Sequence, residues 1–301
     1  MPERLRKAYH EARFRRVARG VLATPPLRLR PSRLMFLSLT CHRDVHPFLL
    51  AMKSVYRSFG EGRVCVLDDG SLTAGDRATI AAHLLDVEFV DAGAVKISGT
   101  PSYIVWRRLA WLLELVKEHY VVQVDSDVLA TGSIPEAVSA ARANKPFILT
   151  NRRHPGVVTF AEMSDWIAAR SWSAETLQTR VEHGLKDFAR AGERRYVRGS
   201  AGFAGWPKGA ASIAGARAFS DEALEHVGES WLGWGSEQIT TNVLLANAPG
   251  LVMLGAPDYI NNLPNLDPSA ARLIHFFGSF RYHDARYATA ARKVIAELKA
   301  S

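Results

Sequence analysis

The stretch that decides the fold runs Tyr120-Val121-Val122-Gln123-Val124-Asp125-Ser126-Asp127-Val128-Leu129. β-Branched residues lead straight into two aspartates one serine apart, and an apolar pair follows. Residues two apart in a strand point to the same side. If the strand runs on to Asp127, both carboxylates face one way at its carboxyl end. Two like charges held that close are costly unless a cation sits between them. A hard divalent cation that keeps waters and binds phosphates suits such a site. The stretch therefore predicts an enzyme that handles a nucleotide diphosphate.

Upstream of it, continuous apolar runs at 34–39 and 63–67 predict buried parallel strands, and 87–90 a third. Helical spacing covers 46–59, which Gly60 ends, then 76–85, then 103–119, which leads into Tyr120. Strands alternating with helices predict an α/β fold with a mostly parallel, doubly wound central sheet. Ligands of such sheets bind beyond the carboxyl ends of the strands. Three predicted strand ends carry polar clusters, at 40–44, 68–71 and 125–127. The second half is less regular. We expect helices at 161–169, 174–190, 236–246 and 286–299, with Ser236 as an N-cap. Residues 199–209 should be extended, and 252–254 and 273–277 should be short strands.

The chain has 301 residues, 48% hydrophobic and 23% charged, the balance of a soluble globular protein with a sizeable core. Its net charge of +8 is uneven. Residues 1–33 hold ten Lys or Arg and two Glu, and the remainder holds 28 basic and 28 acidic residues. We therefore read a basic N-terminal arm at 1–33 and one domain at 34–301. A neutral body argues against nucleic acid as partner, whereas the arm suits an anionic membrane surface. Cys41 and Cys65 end apolar runs and read as buried free thiols of a reducing compartment. The apolar piece at 21–27 is broken by Pro25-Pro26, so no signal peptide is expected, nor any membrane span. These features together predict a cytoplasmic protein.

A second motif reads Ile274-His275-Phe276-Phe277-Gly278-Ser279-Phe280-Arg281. A lone His in an apolar run is more often a satisfied core residue. Beside two aspartates its neutral imidazole could complete a metal shell. Gly278 would admit a phosphate to the backbone, and Arg281 would neutralise it. His42 and His46 are four apart, but Pro47 follows and the pair straddles a loop-to-helix junction, so they do not read as a metal site.

Taken together, these segments resemble the GT-A, Rossmann-like glycosyltransferases that use nucleotide sugars. They are most similar to family 8, which includes glycogenin and the lipopolysaccharide galactosyltransferases. Residues 34–54 with Lys53-Ser54, Arg108-Leu109-Ala110-Trp111-Leu112-Leu113-Glu114-Leu115, the DxD stretch, residues 199–203, Glu237-Gln238 at the head of a helix ending in Asn242, and 275–281 match in order. The resemblance implies that Asp125, Asp127 and His275 bind Mn²⁺ or Mg²⁺, with Asp125 and Ser126 near the ribose. It implies that Gly278 and Arg281 hold the diphosphate, and that Arg108 and Gly202 contact the donor. Thr40, Cys41 and His42 would line the nucleotide site, and Asp68 would touch the base. Gln238 would sit by the anomeric carbon and Glu237 would bind a sugar hydroxyl.

The chain departs from the family in three places. Thr40-Cys41-His42 stands where acidic residues are common, no asparagine accompanies Ser200-Ala201-Gly202, and Glu237 replaces an aspartate. The segment Trp231-Leu232-Gly233-Trp234-Gly235-Ser236-Glu237-Gln238 also resembles the GWGxED motif of inverting β-1,4-galactosyltransferases. Gln238 stands where their base would be, which leaves Glu237 for that role. The bland reading of this segment is a loop anchored by tryptophans; the functional one is an acceptor platform.

The expected activity is metal-dependent transfer from a UDP-sugar to a glycan or lipid-linked acceptor, with retention of configuration. The alternatives are an inverting enzyme with Glu237 as base, a sugar-phosphate nucleotidyltransferase, or a non-catalytic nucleotide-sugar-binding protein. The second usually needs a glycine-rich loop after the first strand, which 39–45 lacks. The intact Asp125, Asp127 and His275 set argues against the third.

Overall fold

A computed structural model describes residues 2–97, 99–170, 172 and 175–300. Its centre is a seven-stranded sheet in the order Val252–Leu254, Phe147–Thr150, Gly199–Trp206, Tyr120–Val124, Leu34–Thr40, Arg63–Asp68, Glu88–Asp91. Every neighbouring pair is parallel except the two that involve Gly199–Trp206, which runs against both its partners. The mostly parallel α/β sheet expected from the apolar runs is present.

Alternation along the strands supplies a core on each face. Phe36, Val64, Val66 and Val122 pack with helices Val45–Phe59 and Arg286–Ala300. Met35, Leu37, Cys65 and Val121 pack with helices Ile104–Leu115, Ile213–Val227 and Ser236–Ala246. Residues buried on both sides explain why these strands read as unbroken apolar runs.

The strand that begins at Tyr120 stops at Val124, short of the aspartates. Asp125-Ser126-Asp127 forms a turn in which the Val128 amide donates to the Asp125 carbonyl at 3.1 Å. The carboxylates are therefore gathered by a turn, not by strand alternation. The chain leaves the turn as Val128–Ala130 and enters a second, three-stranded sheet with Leu273–His275 and Tyr259–Asn261. There His275 lies opposite Val128, and Asn261 opposite His275. This small sheet carries a distant histidine to the DxD turn.

Other expectations shift at their edges. The helix before the DxD strand is Ile104–Leu115, and residues 116–119 only turn. The strand expected over 273–277 ends at His275. Ser236 lies inside its helix, and Gly235 precedes it as the cap. That helix otherwise has its expected bounds, Ser236–Ala246, and so runs past Asn242. Of the helix expected over 174–190, Ala174 lies outside the described residues; Leu177–Gly184 is α-helical and Leu185–Asp187 is a 3-10 turn. Cys65 is buried, but Cys41 is only half-buried. Both are free thiols.

The basic residues at the start form the helix Glu3–Ala18. Phe14 stacks on Tyr287 with ring centroids 3.6 Å apart, and Ala18 and Val21 are buried. The helix thus packs along Arg286–Ala300 by one edge. Leu5 and Tyr9 stay exposed among its cations. Among the described residues no helix is long and apolar enough to cross a membrane.

Candidate active site

A cleft of about 370 Å³ opens beyond the DxD turn. Asp125 and Asp127 face it from the turn between the two sheets, and His275 from the end of a strand of the smaller one. Carboxylate and imidazole donor atoms of these three lie within 4.8 Å of one another, and His275 Nε2 is 3.2 Å from Asp127 Oδ1. Two backbone bonds fix the arrangement. The Asp125 amide donates to the Gly202 carbonyl at 2.8 Å, and the Phe276 amide donates to the Asp127 carbonyl at 2.8 Å. Gly202 is also a steric requirement. A Cβ there would stand 2.4 Å from His275 Cε1, so only glycine leaves room for the ring.

Each aspartate has its own arginine. Arg108, buried on its helix, donates from Nη1 to Asp125 Oδ1, while its Nη2 lies 3.4 Å from both oxygens of Glu237. Burial by itself would lower the Arg108 pKa; Asp125 and Glu237 outweigh it and raise the value. Arg281 donates from Nη2 to Asp127 Oδ2, and its Nη1 lies 3.5 Å from Asp44. Burial opposes charge on Asp127 too, but His275 and Arg281 hold its pKa down to about 2. Three acids, one imidazole and two guanidiniums therefore line the cleft. This is the donor chemistry that a hard divalent cation with a phosphate ligand needs, carboxylate oxygens and an imidazole beside arginine forks.

Gly278 has φ +53°, in the left-handed region, and turns the chain from the His275 strand toward Arg281. Glu237 and Gln238 open the helix Ser236–Ala246 on the far wall. Glu237 is buried, and burial pushes its carboxyl up; Arg108 opposes this and Asp125 adds to it. Gln238 Nε2 donates to Gln178 Oε1 at 3.3 Å, and both side chains line the cleft. Trp234, 72% exposed, stands at the mouth beside Gly235. Trp231 is buried instead, and donates from Nε1 to Ser220.

The structure thus brings Arg108, Asp125, Asp127, Gly202, Glu237, Gln238, His275, Gly278 and Arg281 to one cleft. It does not bring Thr40, Cys41, His42, Asp68 or Ser126 to the cleft's lining. Thr40 and Asp68 end adjacent parallel strands on the same rim. Asp68 accepts from the Gly70 amide at 2.8 Å and pairs with Arg77. His42 Nδ1 is 2.7 Å from Asp76 Oδ2. Ser126 is buried, with its carbonyl facing the Tyr287 hydroxyl at 3.4 Å. Among the described residues, Asp125, Asp127 and His275 form the one group with metal-ligand geometry, and His42 and His46 have no part in it.

Beside Ser200, of the 199–203 segment that the resemblance picked out, the cleft holds Asn151, Gln178 and Asn261, which the sequence did not single out. Their one local signal is polarity at the edge of an apolar run, as at Asn261-Asn262 after Tyr259-Ile260.

This architecture is found in solved proteins. The chain is similar to the galactosyltransferase LgtC, solved in complex with donor and acceptor sugar analogs, at 16% identity over 85% of this chain and 95% of that one, with a TM-score of 0.51. The fold is GT-A. A second GT-A likeness is to the WbbM bifunctional glycosyltransferase in its apo form, at 13% identity and a TM-score of 0.50, over 91% of this chain and 52% of that one. No family model matches the sequence, and no curated protein does. At such identities the GT-A likeness fixes the fold, and the chemistry rests on this chain's own residues.

Proposed function

We propose that this protein is a metal-dependent glycosyltransferase that moves a sugar from a UDP-sugar to a glycan or lipid-linked acceptor with retention. The observation that carries the reading is the convergence of Asp125, Asp127 and His275 within 4.8 Å in a cleft walled by Arg108 and Arg281. Mn²⁺ or Mg²⁺ held by these three side chains would act as a Lewis acid on the leaving diphosphate.

The remaining roles belong to the protein. Arg281 and the Gly278 backbone bind the phosphates and stabilise charge as the glycosyl bond breaks. Arg108 orients Asp125 and Glu237 through one guanidinium fork. Thr40, Cys41, His42 and Asp68 receive the nucleoside along the rim, and Gly202 and Ser126 shape the ribose side. The transition state is oxocarbenium-like. The Gln238 amide oxygen stabilises that positive charge without competing as a nucleophile, and the departing phosphate oxygen takes the acceptor's proton. Glu237 is tied to Arg108 and receives the Thr241 hydroxyl at 3.4 Å, which suits holding a sugar hydroxyl better than acting as a free base.

A larger hollow of about 640 Å³ adjoins the cleft and shares Gln178, Trp234, Gly235 and Gln238 with it. Trp172 and Trp234 line it, and Arg198 lies 4.6 Å over the Trp172 ring. Aromatic faces backed by polar groups fit a sugar acceptor. The basic helix Glu3–Ala18 would keep the enzyme on the cytoplasmic face of an anionic membrane, near lipid-linked acceptors.

The test is a screen of UDP-, GDP- and dTDP-sugars for Mn²⁺-dependent hydrolysis. We expect turnover with UDP-sugars. Turnover of a sugar phosphate plus a nucleoside triphosphate, with no binding of UDP-sugars, would overturn the reading.

A further inference from the structure

Asn261 lines the cleft without a role in that scheme. It is buried, lies opposite His275 in the small parallel pair, and its side chain makes three contacts. Its Nδ2 donates to the Thr150 carbonyl at 3.3 Å and to Asn151 Oδ1 at 3.1 Å. Its Oδ1 lies 2.9 Å from His275 Nδ1.

These contacts leave one consistent arrangement of protons. A backbone carbonyl only accepts, so the amide nitrogen of Asn261 must be the end that faces Thr150. The other end is an oxygen, which also only accepts. His275 must then carry a proton on Nδ1 and donate it to Asn261. The Ser200 hydroxyl, 3.1 Å from the same nitrogen, accepts from the Gly202 amide and can receive a share of that proton. Nε2 is the nitrogen turned to Asp127, at 3.2 Å, an approach that a proton or a cation between the two makes favourable. An imidazole ligates through a lone pair, and the hydrogen bond at its other nitrogen sets which lone pair is free.

We propose that Asn261 is the positioning residue of the metal site: it holds the His275 proton on Nδ1 and presents Nε2 to the cation. The proposal rests on the metal reading of Asp125, Asp127 and His275. Asn151 and the Thr150 carbonyl act one step further out by fixing which way the Asn261 amide turns. The inference explains why a buried amide is spent between two short strands, where an apolar side chain would pack without needing partners.

The test pairs a tautomer measurement with a metal titration. Long-range ¹H–¹⁵N spectra of the metal-free protein should show a proton on His275 Nδ1, assigned by its absence in His275→Gln. Asn261→Leu, which keeps the size and removes the acceptor, should lose that proton. It should bind Mn²⁺ roughly 10–100-fold more weakly by electron paramagnetic resonance, the usual cost of losing such a partner. Asn261→Asp keeps an oxygen facing Nδ1 and should keep the Nδ1–H form even if its affinity changes. Matching circular dichroism and melting of each variant excludes unfolding as the cause. An Nε2–H tautomer in the wild type, or a folded Asn261→Leu that binds Mn²⁺ like wild type, would overturn the proposal alone. Failure of the wild type to bind Mn²⁺ or Mg²⁺ would overturn the metal reading and this role with it.

Discussion

The Phe276 amide donates to the Asp127 carbonyl at 2.8 Å, and this one bond places His275 beside the DxD turn. The metal-ligand geometry is therefore a property of the backbone pairing between Val128–Ala130 and Leu273–His275, with side chains completing it. Changes that disturb this seam should act on the site even when they touch no ligand.

Gly202→Ala is the sharpest such change. The added methyl would meet the His275 ring at 2.4 Å, so the ring must move. Overpacking of this kind costs about 1–3 kcal/mol. We expect the unfolding free energy from urea titration to fall by roughly that amount and Mn²⁺ affinity to fall about tenfold or more, as for a displaced ligand. Titration of the purified variant with Mn²⁺ checks it; wild-type affinity would show that the ring has room.

Metal should stabilise the folded chain. A ligand at 100 times its dissociation constant adds about 2.7 kcal/mol if it binds only the folded state. Scanning calorimetry with Mn²⁺ and then with excess chelator should show a raised and restored melting temperature. Asp127→Asn should not respond.

Stereochemistry decides between Gln238 and Glu237. We expect proton NMR of the first-formed product to show the donor's anomeric configuration. Glu237→Gln should then keep measurable transfer, whereas loss of a true general base costs about 10²–10⁴-fold. An inverted product would reassign Glu237 as the base.

Trp234→Ala tests the acceptor platform. One aromatic contact is worth about 0.5–1.5 kcal/mol beyond its area, so kcat/KM for acceptor should fall by roughly 3–10-fold. Donor hydrolysis should be unchanged, because Trp234 sits at the mouth and far more exposed than the ligands. An equal fall in both would place Trp234 at the donor.

Lys53 gives a pH dependence of stability away from the cleft. It is buried, donates to Thr24 Oγ1 at 2.8 Å and to the Pro25 carbonyl at 2.7 Å, and burial lowers its pKa to about 8. An unfolded lysine titrates near pH ~10.4. The folded chain releases this proton first, so its charge costs stability below pH 8, and that cost is relieved as pH rises from about 8 to ~10.4. From about pH 7.5, below that window, to about pH 9.5, within it, the urea midpoint should therefore shift in favour of wild type relative to Lys53→Met. A constant difference between the two proteins would refute it.

The first half of the fold was legible because its strands are buried on both faces. Leu34–Thr40, Arg63–Asp68 and Tyr120–Val124 declare themselves through unbroken apolar residues, and turn signals such as Gly60 close the helices between them. The aspartates and His275 were legible as chemistry, though the turn that gathers the aspartates was not, since Asp125-Ser126-Asp127 reads equally well as strand. Ser236 was misread as a cap because its hydroxyl serves elsewhere: it donates to the Gly233 carbonyl and receives the Trp106 indole proton. Asn261 and Gln178 were silent. Their importance comes from partners distant in the chain, and local periodicity carries no record of those.

The small three-stranded sheet has a consequence for biosynthesis. Asp125 and Asp127 precede His275 in the chain by about half its length, and Gly202, which pairs with Asp125, lies between them. A nascent chain therefore has two clustered carboxylates long before it has the third ligand or the strand that seats it. Capture of a cation by this set would then be a late event, open only to a chain whose far segments have already docked, and binding of the ion would report that assembly is finished.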